Sequence, residues 1–152
     1  MSGIDPGALG FLVSDISRLI RLSMDRANAR AQAGVTPGEA RVLAFAARSG
    51  PVRQMRLAEM IGLEAMTISG HLDALEAKGL VSREPDPSDR RAKLVRLTRE
   101  AEPVLETIAR TGLEIRTIAS AGLSEARWER LKADLLVVRA NLAEANGCAS
   151  DD

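Results

Sequence analysis

Apolar residues fall into helical stripes at both ends of the chain, with short alternating runs between them. Leu9, Leu12, Val13, Ile16, Leu19, Ile20 and Met24 recur at spacings of three and four. This predicts a long amphipathic helix over about residues 8–30. Val35-Thr36-Pro37-Gly38-Glu39 reads as a helix start, with Thr36 as N-cap, Pro37 at N1 and Glu39 at N3 completing a capping box. That helix runs to about Ser49, and Gly50-Pro51 breaks it. Further on, Val104, Leu105, Ile108, Leu113, Ile115 and Ile118 predict a second long helix, to about residue 121. Pro103 either marks its start near Glu102 or kinks it. Gly122 closes it. Ser124 then caps a last helix, with Leu123 placed to pack on Trp128 as a hydrophobic staple. Leu131, Leu135, Leu136, Val138 and Leu142 carry its stripe to about residue 144.

The middle of the chain changes period. Leu57, Ala58 and Ile61 make one side of a short helix that Gly62 ends. After a turn at Leu63 and Glu64, Ile68, Leu72 and Leu75 form the inner face of a second helix, Leu63–Lys78, which Gly79 ends. Two helices joined by a tight turn of this kind make a helix-turn-helix. Thr67, Ser69, Gly70, His71 and Ala74 are left for the outside. They are short enough for close approach to a groove and carry donors and acceptors. Leu80–Arg83 and Leu94–Leu97 read as strands around a charged loop, Glu84–Lys93, in which Pro85, Asp86, Pro87 and Ser88 are turn residues. Arg90, Arg91 and Lys93 sit at or just past its tip, where guanidinium groups suit the negative minor groove. Asp89 is expected to hold a neighbouring arginine in one rotamer. Val52–Arg56 is expected to add an edge strand, with Arg53 and Arg56 in reach of phosphate.

Composition narrows the picture. The chain has 152 residues, no Tyr, two Phe and one Trp, so the core must be aliphatic and the class mainly α. A net charge of zero argues against a general polyanion binder. Charge is unevenly placed, however. Residues 79–99 carry six basic against three acidic residues, and residues 100–152 carry six against ten. One His and one Cys rule out a zinc site built from those residues alone, and no glycine-rich phosphate loop is present. Neither a catalytic residue, a metal nor a cofactor is expected, and the chain is expected not to be an enzyme. Cys148 cannot form an intramolecular disulfide. With no signal sequence and no apolar run of membrane length, the expected location is cytoplasmic, at the nucleoid.

The run LDALEAKGLVSREPDPSDRRAKLVRLT resembles the signature of the MarR family of bacterial transcriptional regulators. That signature has a recognition helix ending in Leu-Glu-x-x-Gly-Leu-Val, an Asp-Pro-x-Asp-Arg-Arg wing and a strand closing on Leu-Thr. The match is close over residues 63–98. It implies a mainly α fold with a small β-wing: a winged helix-turn-helix with N- and C-terminal dimerisation helices. The corresponding domains are a dimerisation helix at 1–34, a DNA-binding domain at 35–98, dimerisation helices at 99–146 and a disordered tail at 147–152. The implied function is a homodimeric repressor on a pseudo-palindromic operator in double-stranded DNA, released by a small-molecule effector. Met66, Thr67, Ser69, Gly70 and His71 would lie in the major groove. Asp89, Arg90, Arg91 and Lys93 would form the wing contacts, and Arg53, Arg56, Arg83 and Arg96 would meet phosphates. An effector would sit among residues such as Ile16, Ile20, Phe45 and Ile108. The sequence departs from the pattern at Gly70 and Ala74, where many members carry arginine, and at Leu94, where a third wing arginine is often found. Those departures leave room for a different reading, a winged-helix module that binds protein rather than DNA.

Overall fold

Residues 3, 5 and 7–147 are described by the computed structural model. Of the expected tail, residues 148–152, Cys148 among them, lie outside the described residues. In chain order the elements are α1 (Leu9–Arg30), α2 (Pro37–Ser49), β1 (Val52–Arg53), α3 (Gln54–Ile61), α4 (Ala65–Ala77), β2 (Val81–Asp86), β3 (Asp89–Leu97), α5 (Glu102–Ala119) and α6 (Glu125–Ala145). A single 3-10 turn, Arg99–Ala101, leads into α5. Pro103 therefore stands in the first turn of a helix that begins at Glu102, where a missing N–H costs nothing. The chain divides into two compact units, with the break between Ile115 and Arg116 inside α5.

The first unit holds the winged lobe. Its core is aliphatic: Val42, Leu43, Leu57, Ile68, Leu72, Leu75 and Val95 are fully buried. Thr36 accepts from the Glu39 backbone N–H while the Glu39 carboxylate accepts from the Thr36 N–H, so the capping box is complete. Gly62 takes φ 74° as the left-handed cap of α3, and the turn into α4 follows directly. The three strands form an antiparallel sheet in the order β1-β3-β2, with Val52 opposite Val95 and Val81 opposite Leu97.

The hairpin differs from its sequence reading. Instead of short strands around a ten-residue charged loop, β2 and β3 extend to Asp86 and Asp89, leaving Pro87 and Ser88 as the turn. Glu84 pairs with Leu94 and Pro85 with Lys93. Antiparallel pairing is made by backbone, so polar side chains suit strand positions that extend past the core. Pro85 is tolerated because β2 is an edge strand. The expected edge strand is likewise only Val52–Arg53, since Gln54 to Arg56 already form the first turn of α3.

In the second unit, Ser124 caps α6 by accepting from the Arg127 N–H, and the Arg116 guanidinium pairs with Glu125. None of the 21 residues of α6 is buried.

Candidate nucleic-acid interface

The helix-turn-helix is anchored from beneath. Ile68, Leu72 and Leu75 fix one face of α4 in the core. Two contacts, one polar and one of packing, hold α4 to the start of α2. The Lys78 ammonium donates to Glu39 Oε2 at 2.5 Å and to the Gly34 carbonyl at 3.2 Å. Burial alone would push the Glu39 carboxyl up, but bonds from Lys78 and Thr36 outweigh it and hold Glu39 below its ordinary value. The second contact corrects the sequence reading of His71 as an outward residue. Its ring lies against Gly38 of α2, so closely that a Cβ added there would stand 2.3 Å from Cε1. No local pattern reveals this, because it depends on how α2 and α4 cross.

The opposite face of α4 is open at its N-terminal end. Met66, Thr67 and Gly70 are exposed and Ser69 is half-buried, so the structure brings these four expected major-groove residues together. Farther along the helix, Arg83 reaches back from β2 to Asp73 and Glu76, each at 2.6 Å.

The wing cations divide into two groups. Arg53, Arg56, Arg83 and Arg96, the expected phosphate contacts, already face carboxylates: Asp86, Glu59, Asp73 with Glu76, and Glu84 respectively. Arg90, Arg91 and Lys93 have no ion-pair partner among the described residues. Exposed and close together on β3, they make the uncompensated positive charge of the hairpin. Arg91 and Lys93 line a cleft of about 370 Å³ with Arg53 and Met55, whereas Arg90 does not.

The expected arginine holder is also corrected. Asp89 accepts from the backbone N–H of Arg91 at 3.0 Å, which shapes the strand start and leaves the guanidinium free. At the hairpin tip, the carboxylate that fixes an arginine is Asp86. It accepts from the Ser88 hydroxyl (2.7 Å), the Ser88 N–H (2.8 Å) and Arg53 Nε (2.6 Å). The Ser88 bonds, with Arg53 beside them, hold its pKa down to about 2. The Asp-Pro-Ser run reads as a turn, and only the folded hairpin shows Asp86 turned inward to serve as its post.

Beneath α1 and α2 lies a cavity of about 380 Å³. Ile20, Phe45 and Ile108 line it as expected, together with Met24, Asn28 and Arg41. Ile16 is not in its wall; it is exposed on α1. Behind the cavity, Thr111 donates to Asn28 Oδ1 at 2.9 Å, a buried polar tie between α5 and α1.

Residues 35–93 match the family model described as the MarR family. A crystal structure of MarR is similar to this chain at TM-score 0.80 and 22% identity, over 96% of this chain and 99% of that one; at such identity the likeness speaks for the fold. A probable transcriptional regulator from Pseudomonas aeruginosa is similar at TM-score 0.65 and 28% identity, over 87% of this chain and 97% of the other. CouR from Rhodococcus jostii RHA1, solved bound to p-coumaroyl-CoA, is similar at TM-score 0.69 and 26% identity, over 90% and 95%.

Proposed function

We propose that this chain is a transcriptional regulator of the MarR family, that it binds duplex DNA as a homodimer and that it represses from a pseudo-palindromic operator. One observation carries the reading. A solvent-facing helix end (Met66, Thr67, Ser69, Gly70) and a hairpin with three unpaired cations (Arg90, Arg91, Lys93) stand in the same lobe. In this reading the open end of α4 enters the major groove. Arg91 and Arg90 reach the minor groove, and Lys93 with the partly paired arginines meets phosphate. Because His71 leans on α2, its part is to seat α4.

Dimerisation is supported by apolar surface left uncovered. Leu9, Leu12, Ile16 and Leu19 are exposed on α1, as are Leu131, Leu135, Leu136 and Leu142 on α6. A second copy covering these stripes would form a two-fold dimer, with recognition helices about 34–36 Å apart. Residues 1–34 and 99–146 are thus assigned to dimerisation and 35–98 to DNA. The 380 Å³ cavity supports release by a small molecule, as does the ligand held by CouR. Its wall includes Met60 and Ile61, at the end of α3 just before the turn into α4, so an occupant there bears on the seat of the recognition helix. The protein would act in the cytoplasm, at the nucleoid.

Salt titration of duplex binding tests this reading. Phosphate contacts by several cations make affinity fall steeply with salt. A steep slope is expected at a stoichiometry of two chains per duplex. A flat slope would favour a winged helix that binds protein, a role the absence of arginine from α4 would also suit.

A further inference from the structure

The proposed reading places α4 in a major groove, yet the helix lacks the side chains that commonly read one. Between Ala65 and Ala77 there is no Arg, Lys, Asn or Gln, the residues that make paired bonds to guanine or adenine edges. Asp73 and Glu76, which could accept from cytosine, are held by Arg83. His71 is turned against Gly38.

What remains in the open has a different chemistry. Met66 is 88% exposed, although the other large apolar residues of α4, Ile68, Leu72 and Leu75, are fully buried. Thr67 is exposed beside it and offers a methyl and a hydroxyl. Gly70, at i+4 from Met66 and i+3 from Thr67, shares their face, and a Cβ placed there would meet nothing within 4 Å. The face therefore presents a flexible thioether chain, one methyl and a stretch of bare backbone.

We propose that this face recognises thymine through its C5 methyl group, so that the half-site is marked by thymines under Met66 and Thr67 rather than by guanines. The proposal rests on the DNA-binding reading above. Among the four bases, only thymine shows the major groove an apolar group. Guanine there shows two acceptors, and its usual arginine or lysine partner is missing from α4. Methionine adapts its shape to such a contact and gains from its polarisable sulfur. Gly70 lets the helix backbone come close enough to make it. The Thr67 hydroxyl is then free to donate to thymine O4. The wing cannot give the same preference, because the minor groove carries no methyl.

Replacement of thymine by deoxyuridine tests this directly, since it removes the methyl and leaves Watson–Crick pairing intact. A duplex selected by the wild-type protein is resynthesised with deoxyuridine at single positions, and wild type, Met66→Ala and Thr67→Ser are titrated against each version. Wild type is expected to lose about fourfold in affinity per contacted methyl, the effect of one buried apolar carbon. Met66→Ala is expected to bind the thymine and uracil versions alike at its own position, with an unchanged salt slope and unchanged thermal stability. A selected duplex that binds equally with uracil throughout, or whose required pairs under α4 are G·C, would overturn the proposal while leaving DNA binding intact. Failure of the wild type to select any duplex at low salt would overturn the DNA-binding reading, and this proposal with it.

Discussion

In the winged lobe, Leu43, Leu57, Ile68, Leu72 and Leu75 are fully buried, whereas α6 buries none of its residues despite a stripe of leucines. Both segments carry apolar residues at helical spacing. The difference lies in what each finds to pack against. The lobe brings α2, α3, α4 and the sheet around one core, so its fold is complete within one chain. The exposed stripe of α6 gains no such burial here, and a helix in a protein draws most of its stability from tertiary packing. Periodicity therefore identifies a helix and its apolar side, but only a partner surface decides whether that side belongs to a core or to an interface.

The largest effect is expected in the core. Leu72→Ala should lower stability by about 2–5 kcal/mol through lost burial and a residual cavity. Denaturant titration checks this; a loss well under 1 kcal/mol would mean that the lobe is not the rigid half of the comparison. The α6 stripe should behave in the opposite way. Leu131→Glu combined with Leu135→Glu should leave the lobe folded but separate the proposed dimer into monomers. Light scattering across a concentration series reads the mass; a dimer that persists would remove α6 from the proposed interface.

Within the lobe, the α2–α4 clamp sets a smaller effect. Lys78→Met leaves the Glu39 carboxylate buried without its cation, and a loss of about 1–2 kcal/mol is expected once the partial exposure of Lys78 is discounted. The pH dependence has a defined sign. Because Glu39 is held below its ordinary value of 4.5 in the folded state, its contribution is present above that pH and is lost as pH falls through the folded pKa. In Lys78→Met that acid-side loss should shrink, which stability curves between pH 6 and 3 would show. The smallest effect belongs to the wing post. Asp86, ordinarily near 3.8 and held at about 2, should keep Arg53 and Ser88 in place until acid protonates it. Asp86→Asn should loosen the hairpin tip at neutral pH without unfolding the core. Amide exchange at Ser88 reports this; unchanged protection there would show that the tip is held by pairing alone.

Much of this molecule is legible in its sequence because the signals are local. The Thr36–Glu39 box, the helix ends at Gly62 and Gly79, the buried Ile68-Leu72-Leu75 face and the cap at Ser124 are each set by residues within one or two turns of one another. The features not legible are contacts between segments distant in sequence. Arg53 and Asp86 are 33 residues apart, and Lys78 and Glu39 are 39 apart. Strand length was also hidden, since Glu84, Pro85 and Lys93 have side chains that suit a loop while their backbones pair in a ladder. For the candidate interface, the sequence places the open face of α4 and the wing cations. It does not separate cations already paired with carboxylates from those left free.

In the proposed function, the open end of α4 and the free wing cations read duplex DNA in two-fold symmetric form. Selection from a random duplex pool, run in parallel for wild type and Arg91→Ala, tests it most directly. Wild type is expected to enrich a motif of two inverted half-sites about one helical turn apart, with much weaker binding by the variant. A wild-type protein that enriches no sequence at low salt, or a variant that enriches the same motif with equal affinity, would contradict it.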